Sequence, residues 1–271
     1  MGCRWGPCGA GKIQDGDRVM RVFIVHAHHE AKSFNGAMTQ TAQRALLAAG
    51  HEVLVSDLYA MGFDPVSDRR NFTTVRDPLL LRQQTEESYA SEHNGFVPEL
   101  QAEMDKLFWA EALILQFPLW WFGLPAILKG WVDRVFAVGR AYGGRRWFDR
   151  GVFAGRRAMC SVTVGGLAPM YSYAGINGPL SAILFPINHG ILAFTGFTVV
   201  EPFVVHGPGR ITPAQRIEYL ELYRYRVLGL ASANVLPGPN TADYDESLVR
   251  KAGISPADDR DGSRVPAARR P

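Results

Sequence analysis

Three short stretches of this 271-residue chain hold residue types that do chemistry. In RVFIVHAHHEAKS, His26, His28 and His29 close an apolar run and Ser33 follows. In QFPLWWFG, Pro118 and Leu119 lead into Trp120, Trp121 and Phe122. The third stretch carries the pair Gly165 and Gly166, then Met170, Tyr171 and Asn177. No carboxylate or cysteine accompanies the histidines at ligand spacing, so hydrogen bonding suits them better than a metal. Ser33 has the type and place of a helix N-cap, and a helix start offers free N–H groups and a positive dipole end to a phosphate. Three adjacent large aromatics must be covered by the core, a partner or a planar ligand. A glycine pair lets a ligand approach the backbone closely, since no Cβ intervenes. His51, His93, His189 and His206 are scattered and take no role.

The elements that would position these residues follow from periodicity. Apolar runs at 22–25, 53–55, 113–117, 158–164 and 197–205 read as buried strands. Between them, helical spacing runs from the Ser33 cap to Gly50, over 99–110, and from Pro125 to Phe136. It returns over 179–193, where Pro186 and Gly190 interrupt it, and over 213–230, capped by Thr212. From Tyr59 to the helix at 99, roughly forty residues show little periodicity, as a lid, a partner surface or a disordered segment would. Strands alternating with helices predict a doubly wound α/β fold, a parallel sheet with helices on both faces. In the five-strand order 2-1-3-4-5, the switch point lies between the first and third strands. The His26 to Asn35 loop and the Pro118 to Gly123 loop meet there, with the diglycine turn beside them. A phosphate-ready helix start next to a flat aromatic and glycine-lined slot suits a flavin.

Composition bounds the rest. At 47% hydrophobic the chain can bury a substantial core, and the expected division is an extension over 1–18, one domain over 19–235 and a tail over 236–271. The formal charge of +3 is too mild to argue for nucleic acid. No apolar run is long enough for an integral membrane segment, no secretory signal is visible, and three cysteines make no even framework, so a cytoplasmic setting is expected. GPCGAGK, residues 6–12, imitates a phosphate loop, but Ile13 stands where a metal-holding Ser or Thr belongs and no strand precedes it.

Over residues 20 to about 230 the chain resembles the NAD(P)H:quinone acceptor oxidoreductases, the DT-diaphorase family of flavodoxin-like flavoenzymes. AHHEAKSFNGAM, SDLYAMGFDP, QFPLWWFGLPAILKGWVDRVF, GGLAPMYSYAGINGP and TGFTVVEP carry the resemblance in order. It implies a homodimer with the site at the interface, FAD rather than FMN, NADPH or NADH as co-substrate, and a quinone as acceptor. His28, Ser33, Phe34 and Asn35 match the segment that binds the adenosine diphosphate end. Pro118, Leu119, Trp121 and Phe122, with Trp120 in the same run, match the segment along the isoalloxazine. Thr163, Gly165, Gly166 and Tyr171 match its other side, and Gln83 or Gln84 matches a glutamine on the ADP side. Phe122, Tyr142 and Phe194 match the substrate slot. The catalytic donors it implies are the backbone N–H groups of Gly165 and Gly166 and the Tyr171 hydroxyl. Asn177 stands where a histidine partners that tyrosine in the animal enzymes, and an amide hydrogen-bonds but does not titrate. Trp120 in place of a glutamine and Gly144 in place of a second gating tyrosine imply a differently shaped pocket. A flavin, azo or nitro reductase, or a flavin-binding regulatory subunit of an ion-efflux system, are the alternatives on the same fold.

Overall fold

A computed structural model describes residues 19–254. The phosphate-loop imitation, the expected N-terminal extension, and the end of the expected tail lie outside them. Five parallel strands, β1 (Arg21–His26), β2 (Glu52–Asp57), β3 (Ala112–Pro118), β4 (Arg157–Val164) and β5 (Thr198–His206), pair in the order β2-β1-β3-β4-β5. This is the expected flavodoxin-like order, and it sets the ends of β1 and β3 side by side, with His26 opposite Gln116.

Alternation along the strands divides the core in two. Val22 and Ile24 of β1 point to one face with Ile114 and Met159, against Met38, Ala42 and Leu46 of α1 (Phe34–Ala48). Phe23 and Val25 point to the other, against Leu100, Met104 and Leu107 of one helix and Leu128 and Trp131 of the next. Each strand residue thus serves one helix layer, which is why a sheet buried on both sides reads as unbroken apolar runs.

Between β2 and β3 the chain forms two helices, α2 (Gln83–His93) and α3 (Pro98–Trp109). The second is the helix expected at 99–110. The first lies inside the stretch read as lacking periodicity. It has no apolar stripe because its buried positions include Glu86 and Glu87, whose carboxylates accept from the backbone N–H groups of Arg76 and Val138. The loop before α2 is clamped as well. Arg134, in α4 (Ala126–Val135), donates to the Asn71 side chain at 2.8 Å and to Glu99 at 2.9 Å, while a Cβ at Gly130 would overlap Pro65.

After β4, helix α5 (Leu180–Ile187) contains Pro186 and passes into a π-helical turn over Asn188–Ala193, so the expected interruption is a change of helix type. Helix α6 (Pro213–Leu228) starts on a reciprocal cap: Gln215 N–H donates to Thr212 Oγ1 at 3.2 Å and Thr212 N–H to Gln215 Oε1 at 2.9 Å. Residues 236–254, expected within a tail, lie on the body. Leu236 N–H donates to Val199 O at 2.8 Å, and Thr241 donates from N and Oγ1 to Asp149.

Candidate active site

The carboxyl ends of β1, β3 and β4 and the start of α1 frame a cleft of about 410 Å3. His28, Ser33, Phe34 and Asn35 line one wall, Pro118, Leu119 and Trp120 another, and Thr163 and Gly165 a third. Sequence reasoning named all of these. Ser33 caps α1 by accepting from Gly36 N–H at 3.1 Å, which turns the free N–H groups of the first turn toward the cleft end of the helix. Gly36 is required there, because a Cβ would run into the Ala31 carbonyl.

Below the cleft lies a closed polar chain. Gln116 Nε2 donates to Asn35 Oδ1 at 2.8 Å, Asn35 Nδ2 donates to Thr163 Oγ1 at 2.8 Å, and Tyr223 OH donates to Gln116 Oε1 at 3.1 Å. All four residues are buried. The Asn35 side chain is therefore spent on joining α1 to β3 and β4, and any contact it offers a ligand comes from its backbone. Burial pushes the Tyr223 phenol up, so it stays protonated and donating. His26 sits on the same floor, 2.8 Å from Thr39 Oγ1, and burial lowers its pKa against the opposing pull of Asp57.

The rim is different in kind. Trp120 and Gly123 exchange N–H···O bonds of 3.2 and 3.0 Å around Trp121 and Phe122, which stand at φ 49° and 59°. Two positive values are what a mirror-image two-residue hairpin demands, and Asn and Gly normally supply them. Bulky aromatics in that region cost about 1–2 kcal/mol each. Trp121 is 98% exposed and Phe122 53%. Neither lines the cleft. Trp120 does, and its ring lies 6.1 Å from His28 and 5.7 Å from His29, which stack on each other at 4.7 Å. Burial and the neighbouring His29 lower the His28 pKa.

On the diglycine side, nothing lies within 4 Å of where a Gly165 Cβ would stand, so the backbone is open to the cleft. A Gly166 Cβ would press on the Tyr171 ring at 2.9 Å, so glycine there lets Tyr171 pack down on the turn. Asn177 N–H donates to Met170 O at 3.0 Å and closes that loop. Tyr142 and Phe194 meet edge to face at 5.8 Å. Among the described residues no ring contact joins either of them to Phe122.

Five cleft residues escaped sequence reasoning: Lys32, Val164, Pro208, Gly209 and Arg216. Arg216 lies in the first turn of α6, a place where acidic residues are usual, and that inversion was the one available signal. Nothing in the sequence says that the start of α6 faces the start of α1. No group of three or more potential metal ligands occurs among the described residues.

A family model of the flavodoxin-like fold matches residues 20–227. NAD(P)H dehydrogenase (quinone) 1 of Cavia porcellus is 44% identical over 208 residues, 76% of each chain. Ribosyldihydronicotinamide dehydrogenase (quinone) of Rattus norvegicus is 40% identical over 197 residues, 72% of this chain and 85% of its own. A solved Klebsiella pneumoniae protein, assigned as a quinone reductase, superposes with a TM-score of 0.84 at 38% identity, covering 88% of this chain and 96% of its own.

Proposed function

We infer the function from one premise: the chain belongs to the flavodoxin-like family of NAD(P)H:quinone oxidoreductases. It is an enzyme that passes two electrons from NAD(P)H to a quinone through a bound flavin. When bound, the flavin supplies the two-electron chemistry that no side chain can. The observation that carries the reading is the convergence of the Ser33-capped α1 start, the Pro118 to Trp120 wall and the open Gly165 backbone on one cleft. A fit is favoured by what these groups are: N–H donors for phosphate, a flat wall, and a backbone without Cβ.

Lys32 and Arg216 add two cations beside the α1 start, which suits the phosphate end of a flavin nucleotide, and FAD is preferred over FMN on the family resemblance. Ser33, Phe34 and Asn35 hold that end through the helix start, with His28 beside them. Pro118, Leu119 and Trp120 supply the apolar flank, Trp121 and Phe122 continue it at the exposed rim, and Thr163 fixes the floor. The backbone N–H groups of Gly165 and Gly166 and the Tyr171 hydroxyl are the donors available to negative charge arising in the slot, and Asn177 shapes the loop that holds Tyr171.

Two observations support a homodimer with a shared site. The Trp121 and Phe122 rings are exposed at a strained turn, and the Tyr142–Phe194 pair has no ring contact with Phe122 in its own chain. A substrate slot made of all three is completed by a second copy. No described helix is long and apolar enough to cross a membrane.

The test is anaerobic stopped-flow of the purified protein with NADH and, separately, NADPH, following flavin absorbance, then adding a benzoquinone. Rapid bleaching and full return on quinone are expected. Protein that neither carries nor takes up flavin would overturn the reading. Heat release and chromatography of the flavin decides FAD against FMN.

A further inference from the structure

A second cavity, of about 710 Å3, lies under the segment that follows β5 and α6. That is within the range of roughly 300–1,000 Å3 typical of small-molecule sites. The segment roofing it is fixed at two points. Leu236 N–H is bonded to Val199 O at 2.8 Å, and Thr241 donates to both oxygens of Asp149 at 2.9 and 3.1 Å. The cavity is therefore a built space between ordered walls.

Its lining is chemically specific. The His189 ring stacks on Phe185 at 4.5 Å and 12°, and Phe148 lies 5.2 Å from the same imidazole. Burial lowers the His189 pKa, so the ring is neutral near pH 7 and adds aromatic surface. Asp149 is the carboxylate on the lining, and its oxygens are taken by Thr241. Arg250 stands at the mouth, its guanidinium 5.7 Å from the Tyr244 ring. The space thus offers flat apolar walls, one carboxylate held by Thr241 and one cation, Arg250.

Phe148 is held at φ 49°, a left-handed conformation that a bulky residue adopts only when its surroundings impose it. Its N–H donates to Phe194 O at 2.9 Å and its ring meets Phe194 edge to face at 5.6 Å. The constraint presents Phe148 between this cavity and Phe194, and the cavity shares no lining residue with the cleft at α1.

We propose that this cavity is a second small-molecule site, for a planar aromatic ring carrying an anionic group. The ring lies against Phe148, Phe185 and His189, and the anion faces Arg250. This goes beyond the quinone reductase reading and does not depend on it.

The test is a fluorescence titration of the full-length protein with anilinonaphthalene sulfonate, an aromatic anion whose naphthalene ring is planar. Saturable binding of one probe per chain is expected, unaffected by added benzoquinone. Ser181→Trp, which fills the cavity from α5, weakens binding by roughly tenfold or more, and so does Arg250→Glu, at an exposed position whose replacement leaves the core intact. Ser181→Thr retains it. Absence of saturable binding, affinity unchanged in both Ser181→Trp and Arg250→Glu, or one-for-one displacement of the probe by benzoquinone would overturn the proposal.

Discussion

At the floor of the cleft beside the α1 start, Asn35, Gln116, Thr163 and Tyr223 are buried and answer one another's hydrogen bonds. At its rim, a few residues further along the same chain, Trp121 and Phe122 are exposed and sit at positive φ. The floor is satisfied within the protomer, so it holds its geometry before anything binds. The rim carries strain and apolar exposure that nothing in the protomer offsets. Such a turn makes sense only where a ligand or a second subunit covers it. The contrast separates what keeps the site in shape from what the site is for.

The largest effect is expected at the floor. Gln116→Leu keeps the side-chain volume but removes the donor to Asn35 Oδ1 and the acceptor of the Tyr223 hydroxyl in a buried layer, at a cost of about 3 kcal/mol in stability. Denaturant unfolding measures it, and flavin uptake is expected to fall with it. A variant of unchanged stability would break the comparison, because the floor would then be no more than packing.

Tyr171 packs on the diglycine turn, apart from both regions, and its effect is expected to fall between theirs. Tyr171→Phe removes one donor while the Gly165 and Gly166 N–H groups remain, so flavin reduction slows by less than the roughly 3 kcal/mol of a lost oxyanion donor. Single-turnover reduction by NADH reads it. A complete loss of reduction with flavin still bound would show that Tyr171 is not one of several donors.

At the rim the sign reverses. Trp121→Gly removes a positive-φ penalty, and protomer stability is expected to hold or rise by about 1 kcal/mol while quinone turnover drops. Thermal melting beside steady-state kinetics tests that divergence, and light scattering of the parent and the variant shows whether two chains associate and whether that association is lost with Trp121. Falling stability would mean that Trp121 is packed in the working protein and does not wait to be covered.

The smallest effect is in pH. Burial lowers the pKa of His26, His189 and His206, and burial with the neighbouring His29 lowers that of His28. Folding therefore favours the neutral rings. The stability they contribute is complete above the unfolded value of 6.5 and is lost as pH falls through the lowered values. Melting temperature is expected to decline between about pH 7 and about pH 5, the range where histidines titrate. His26→Gln, at the floor, is expected to flatten that decline more than His28→Gln, at the rim. Equal slopes would place both histidines in similar surroundings.

Much of this arrangement is legible in residue order. The strand runs, the Ser33 and Thr212 caps and the alternation of elements suffice for the parallel sheet and its switch point. Cleft residues close to strand ends or caps are found the same way. Helix α2 is missed because its buried face is carboxylate, and amphipathicity counts apolar residues. Arg216 is missed because a single cation near a cap looks like any solvated charge. Its place opposite the α1 start follows from how α1 and α6 pack side by side on one face of the sheet.

Local rules of backbone sterics and side-chain period act over a few residues, so the sequence by itself determined the elements, their alternation, the parallel sheet and the capped helix start that can receive phosphate. Pairings across long separations are set only once the sheet closes and its helices pack. Tertiary structure alone therefore decided that Asn35 faces inward to Gln116 and Thr163, that Trp121 and Phe122 stand strained at the surface, and that the segment after β5 and α6 roofs a second cavity. Each depends on which distant atoms fill the space around a residue, and residue type and spacing do not carry that information.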